Sequence, residues 1–172
     1  MANKQALRDL QARLAERLQA AKTRQQGKSW LAVECSARGF LFPLRDAGEI
    51  FALAPLLPVP HAQAWFLGVA NLRGHVHGVV DLGAFLGVSG GEKGREQARL
   101  VGFNEALGLN CTLLVDRLSG LRSEEQLVPA DSLEGERPAF VGARYRDAAG
   151  RAWQELNLAE LANDASFLAI VG

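Results

Sequence analysis

After residue 29 the chain repeats itself, and that repeat restricts the fold more than anything else in the sequence. Slid over itself by about 70 residues, Leu31-Ala32-Val33 with Gly39 falls on Leu100-Val101-Gly102 with Gly108. The stretch Leu44 to Ile50 falls on Val115 to Leu121, and Pro58 on Pro129. Phe66-Leu67-Gly68-Val69 then meets Phe140-Val141-Gly142-Ala143, and Val80-Asp81-Leu82 meets Leu156-Asn157-Leu158. Inside each unit, short apolar runs are separated by Gly, Asp, Asn and Pro, which is the spacing of a β-barrel or sandwich and not of βαβ units. A unit of this size is marginal alone, so two must share apolar surface. The expected fold is mainly β: two small, similar barrels with a common interface, each unit closing on a short capped helix.

Residues 1–28 have a different texture. Leu7, Leu10, Leu14, Leu18 and Ala21 recur at spacings of three and four, the mark of an amphipathic helix, and Gly27 is a stop signal. Asp9 four residues before Arg13 adds a small local support. The 172 residues carry no net charge, so no global field exists to hold a polyanion, and nonspecific nucleic-acid binding is not expected. The balance is uneven: residues 1–28 hold seven bases against Asp9 and Glu16, which is +5 and leaves −5 for the rest. Such a helix can pack its leucines on the barrels, dock on a partner helix or a second copy, or lie on an anionic membrane surface. A stripe without Trp or Phe argues against lipid. No apolar run reaches the length of a signal peptide or a membrane span, so a cytoplasmic protein without membrane insertion is expected. Cys35 and Cys111 each sit in an apolar segment without a second thiol or imidazole at ligand spacing, and read as buried free thiols.

The segments that carry polar chemistry each admit a plain reading. Asn71-Leu72-Arg73-Gly74 is a turn, since Asn and Gly tolerate positive φ and Leu72 can anchor it. Arg73 either pairs with an internal acid such as Glu49 or faces a partner. Glu49 is a solvated strand-end charge or a contact, and Asp116 a turn acid or a contact. Asp81 and Asn157 precede short helical patterns and read as structural caps, Asn157 with Glu160 as a capping box. His75 and His77 alternate on one face of a strand, but a third ligand would have to be Asp81 or His61, and no metal is expected. Gly87-Val88-Ser89-Gly90-Gly91 matches the nucleophile-elbow pattern literally, yet all three histidines precede Ser89, the wrong chain order for that triad. Ser89 to Gly94 is therefore expected to be a loop between the repeats. Neither catalytic residues nor cofactors are expected.

The run Trp65-Phe66-Leu67-Gly68-Val69-Ala70-Asn71-Leu72-Arg73-Gly74, followed by Val79-Val80-Asp81-Leu82, resembles the signature of the CheW-like family of chemotaxis coupling proteins. Glu49-Ile50 ahead of Pro58 to Pro60, and Leu114-Val115-Asp116, Glu124-Glu125-Gln126 and Pro129, resemble the flanking patterns. The resemblance implies a CheW-like domain over residues 29–163, built as two intertwined five-stranded SH3-like barrels. The first barrel would span about 29–74 and the second about 75–157 with strands exchanged, between the N-terminal helix and a tail at 164–172. It further implies a non-enzymatic adaptor joining the cytoplasmic tip of a methyl-accepting chemoreceptor to the regulatory domain of a CheA-like histidine kinase, its barrel edges pairing with like barrels in that kinase domain or in other copies of the chain. Glu49, Asn71, Leu72, Arg73, Gly74 and Asp116 are the implied partner-binding residues. Ala47, Gly78, His75 and His77 depart from the family pattern, which bears on partner choice. The long helical extension is similar to variants in chemosensory systems for type IV pili and twitching. A different class, a small barrel for oligonucleotide or sugar, would want exposed aromatics and a basic face. The single Tyr145 and the −5 outside the helix argue against it.

Overall fold

A computed structural model describes residues 2–25, 28–88, 95–130 and 135–171. Helix α1 spans Ala2–Gln25. The first repeat then gives β1 (Ser29–Cys35), β2 (Arg38–Pro43), β3 (Ala47–Phe51), β4 (Phe66–Leu72), β5 (His75–Asp81) and the one-turn α2 (Leu82–Phe85). The second gives β6 (Arg99–Phe103), β7 (Cys111–Val115), β8 (Arg117–Ser123), β9 (Val128–Ala130), β10 (Val141–Arg146), β11 (Ala152–Leu156) and α3 (Leu158–Leu161). A last turn, α4, covers Ala165–Leu168.

The strands form two sheets, and each draws on both halves of the chain. One has the order β8-β1-β2-β11-β10-β9, the other β3-β6-β7-β5-β4. The leading hairpin of each repeat is thus inserted between strands of the other: β2 lies parallel to β11, and β7 parallel to β5. The internal symmetry reaches the edges. Leu57 bridges to Val69 beside β4, in the place that β9 takes beside β10, so Pro58 and Pro129 mark equivalent excursions. This is the two-barrel SH3-like fold, intertwined through the exchanged hairpins.

That exchange explains why the first strand of each repeat carries an unbroken apolar run, Trp30 to Val33 in β1 and Leu100 to Phe103 in β6, in place of strict alternation. Leu31, Val33 and Cys35 of β1 face a central core between the sheets, together with Phe42, Val101, Leu113, Val115 and Leu156. Trp30 and Ala32 on its other face fill one barrel with Leu41, Tyr145 and Trp153. The other barrel holds Ala70, Leu72, Val79 and Leu100. A strand buried on both faces needs no polar alternation. Cys35 and Cys111 are free and buried in the central core, and burial pushes both thiols up to about 12.

Residues 164–172, left as a tail by the sequence, contain α4, whose N-cap Asp164 accepts from the Phe167 amide at 3.0 Å. Phe167 is 2% exposed and packs against Trp65, Phe85 and Phe103. Helix α1 does the opposite. Every side chain described on it, residues 3–18, is exposed, and the four leucines are 50–64% exposed. Its stripe does not pack on the barrels. The elbow-like Ser89 and the loop through Gly94 lie outside the described residues.

Candidate functional site

The hairpin between β4 and β5 turns in two residues. Leu72 pairs with His75, and the two between them, Arg73 at φ 52° and Gly74 at φ 84°, both lie in the left-handed region. A two-residue hairpin loop with both residues at positive φ matches the twist of the flanking strands, and Asn-Gly is its preferred sequence. Gly74 accepts this geometry freely; Arg73, having a Cβ, does so against a steric cost of about 1–2 kcal/mol. Two neighbours hold it there. The amide of Gly74 donates to Oδ1 of Asn71 at 2.9 Å, and Leu72, 5% exposed, is anchored in the barrel core.

Held in this way, the Arg73 guanidinium pairs with the carboxylate of Glu49 on the edge strand β3. The pair stays in water: the Arg73 side chain is 74% exposed and that of Glu49 45%. An ion pair so exposed contributes about 0–1 kcal/mol to folding. Both residues line an open cleft of about 490 Å³, which is also bounded by Phe51, His75, His77, Phe103, Asn104, Glu105 and Asn110. The His77 ring lies 5.7 Å from that of Phe51, and its buried Nδ1 has no hydrogen-bond partner.

The structure thus brings Glu49, Leu72 and Arg73 to one cleft, with Asn71 and Gly74 supporting the turn. It does not bring Asp116 there. Its carboxylate accepts from the Ser36 amide at 2.7 Å and its own amide donates to the Glu34 carbonyl at 2.9 Å. Asp116 steadies the β1–β2 turn, where Ser36 and Ala37 also have positive φ. Asp81 accepts from the Ala84 amide at 3.2 Å and caps α2. Asn157 accepts from the Glu160 amide at 3.1 Å and caps α3, but the reciprocal half of the expected capping box is not formed, because the Asn157 amide donates to the Phe140 carbonyl at 2.7 Å. His75 and His77 share the cleft, but no group of three or more His, Cys, Asp or Glu among the described residues could hold a metal ion. No helix among them is long and apolar enough to cross a membrane.

Two features could not be read from the sequence. Asn104, Glu105 and Asn110 enter the cleft because the parallel pairing of β5 with β7 carries the β6–β7 turn to that side. No local pattern signals such a pairing. The second is the arginine cluster at Glu34, whose carboxylate pairs with Arg117 and Arg151. Burial alone would raise the Glu34 pKa, but the bonds from Arg151 and Arg117 outweigh it and hold the group below the usual carboxylate range. Arg151 also stacks on Trp153, 4.7 Å from the ring centre.

The model of the CheW-like domain family matches residues 29–166, a span that includes the repeat, the turn and the cleft. The chain is 29% identical over 131 residues to the protein PilI of Pseudomonas aeruginosa, covering 76% of this chain and 70% of that one. It is 38% identical over 66 residues to the chemotaxis protein CheW of Rhizobium meliloti, covering 38% of this chain and 43% of that one. The fold matches the crystal structure of the scaffolding protein TtCheW from Thermoanaerobacter tengcongensis with a TM-score of 0.62 at 19% identity, over 76% of this chain and 88% of that one. With both the exchanged barrels and the matched span agreeing, the chain belongs to the CheW-like family.

Proposed function

We propose that the protein is a non-enzymatic adaptor that couples chemoreceptors to a histidine kinase in a bacterial chemosensory pathway, and that Arg73 is central to its partner contact. The observation that carries this reading is the strained turn. A residue with a Cβ is held at φ 52° where Asn or Gly would be relaxed, and the ion pair it makes is too exposed to repay the strain in stability. Strain kept at a surface position without a folding benefit fits a side chain selected for an external contact. The guanidinium can exchange Glu49 for a partner carboxylate in a bidentate bond. Asn71, Leu72 and Gly74 then act by shaping the turn, Glu49 by holding Arg73 when no partner is bound, and Asp116 by steadying the β1–β2 turn away from the cleft. Pilus motility is the proposed output, since the similarity to PilI runs over 131 residues and that to CheW of Rhizobium meliloti over 66. The proposed partners place the protein in the cytoplasm.

The test is calorimetry of the purified protein against the kinase regulatory domain and, separately, the receptor tip from its own organism, with Arg73→Ala alongside. Micromolar binding to both is expected of a dynamic array. Arg73→Ala should weaken one of them at least tenfold with an unchanged melting temperature. If the wild-type protein binds neither partner, the adaptor reading fails; if the variant binds both as well as wild type, the role of Arg73 fails.

A further inference from the structure

We infer that the Leu stripe of α1 is a docking seam for an acidic amphipathic helix of another protein. The helix is 24 residues long, about 36 Å at the usual rise, and Leu7, Leu10, Leu14 and Leu18 are more exposed than any core side chain of the barrels. At about 100° per residue the four leucines fall within an arc of about 80°. That is the narrow stripe of a helix-to-helix seam and not the broad apolar face of a helix lying in lipid. Gln11 borders it directly, and no aromatic residue occurs anywhere on the helix.

The charges beside the seam select the partner. Relative to Leu14, Lys4 and Arg8 lie about 80–120° to one side, and Arg17 and Arg13 about 60–100° to the other, at the same 100° per residue. Asp9 and Glu16 fall on the back, about 140–160° away. Both flanks of the seam are therefore basic, with no acid among them. Flanking charges of a helix pair set partner choice and orientation. Two copies of this helix would set like charges against each other in either direction, parallel or antiparallel, so a second copy is disfavoured. A helix with leucines on one face and Glu or Asp beside them would meet opposite charge on both flanks. The steric and electrostatic requirements coincide only in that partner, and they do not depend on Arg73 or on the coupling reading.

The probe is a labelled synthetic helix with Leu at its a and d positions and Glu on both flanks, titrated with the full chain by fluorescence anisotropy. Its Lys-flanked counterpart and phosphatidylcholine vesicles containing phosphatidylglycerol are run in parallel. The full chain should bind the acidic helix at micromolar concentration, more weakly as salt is raised, and at least tenfold more tightly than the Lys-flanked helix. Leu10→Gln with Leu14→Gln, both exposed, should lose at least tenfold while the melting temperature is unchanged; Arg73→Ala should bind as wild type. Absence of binding, or equal binding of the two helices, overturns the inference. So does tighter binding to the vesicles than to the acidic helix. A concentration-dependent dimer in sedimentation that dissociates in the Leu10/Leu14 variant overturns it in favour of a second copy.

Discussion

Replacing Gly68 by alanine should be among the most damaging single changes in the molecule, for two reasons that can be measured apart. Gly68 stands at φ +136°, where β4 bulges against β5. Holding a side-chain-bearing residue in such a region costs about 1–3 kcal/mol. An added Cβ would also meet the Leu57 carbonyl, with Pro58 Cα only 3.1 Å away. That backbone cannot step aside cheaply. The Leu57 amide donates to the Val69 carbonyl at 2.8 Å, and the Val69 amide to the Leu57 carbonyl at 2.9 Å, so yielding breaks the bridge that extends the sheet. Overpacking of this kind costs about 1–3 kcal/mol more. The total is about 4 kcal/mol, a large part of the 5–15 kcal/mol that a domain usually has. Gly74→Ala is the control: φ is +84°, but nothing lies within 4 Å of the added Cβ, so only the dihedral cost of about 1–2 kcal/mol remains. At about 2–4 °C per kcal/mol for a chain of this length, the melting temperature should fall by about 12 °C in the first variant and about 4 °C in the second. Urea unfolding followed by tryptophan fluorescence reads the difference directly, because Trp30 and Trp153 are each 1% exposed. Equal losses in the two variants would refute the argument, since they would mean that the Leu57 backbone does not press on Gly68.

The Glu34 carboxyl is held below its ordinary range in the folded chain by Arg151 and Arg117, so its stabilising contribution is present above the unfolded carboxyl's pKa and is lost as pH falls through the folded one; Glu34→Gln should flatten the acid limb of a pH–stability curve measured by urea midpoints. Cys35 and Cys111, pushed up to about 12 by burial, should ignore a thiol reagent at pH 8 in the native protein and both react once urea unfolds it. Phe167→Ala should cost about 3–5 kcal/mol in the same unfolding assay, because the ring is 2% exposed among Trp65, Phe85 and Phe103. Glu49→Gln should shift stability by no more than about 1 kcal/mol, and a larger loss in thermal unfolding would show the Arg73 pair to be structural.

What the sequence made legible follows the range of the interactions involved. The repeat announces equivalent strands because each copy must satisfy the same local rules: a bulge after Phe66 and after Val141, a carboxyl or amide cap at Asp81 and Asn157, a proline excursion at Pro58 and Pro129. The Arg73 turn is legible for the same reason, since four consecutive residues determine it. The membership of each sheet is a different matter. Inserting β1 and β2 between β8 and β11 pairs residues more than 80 positions apart, and the only trace in the sequence is that Trp30 to Val33 is apolar on both faces. That trace is compatible with a buried strand in any sheet, so it marks burial and leaves the neighbours unspecified. The cleft inherits this indeterminacy, because half its wall comes from the end of β6 and the β6–β7 turn of the other repeat. Phe167 hid behind composition: a lone aromatic among Ala, Ser and Asp shows no periodicity, and only the pocket formed by Trp65, Phe85 and Phe103 gives it a partner. The exposed leucines of α1 invert the case. Their spacing is the clearest helical pattern in the chain, yet the barrels offer them nothing to bury against, so a signal for burial that the fold leaves unused points outside the chain to the surface that would complete it.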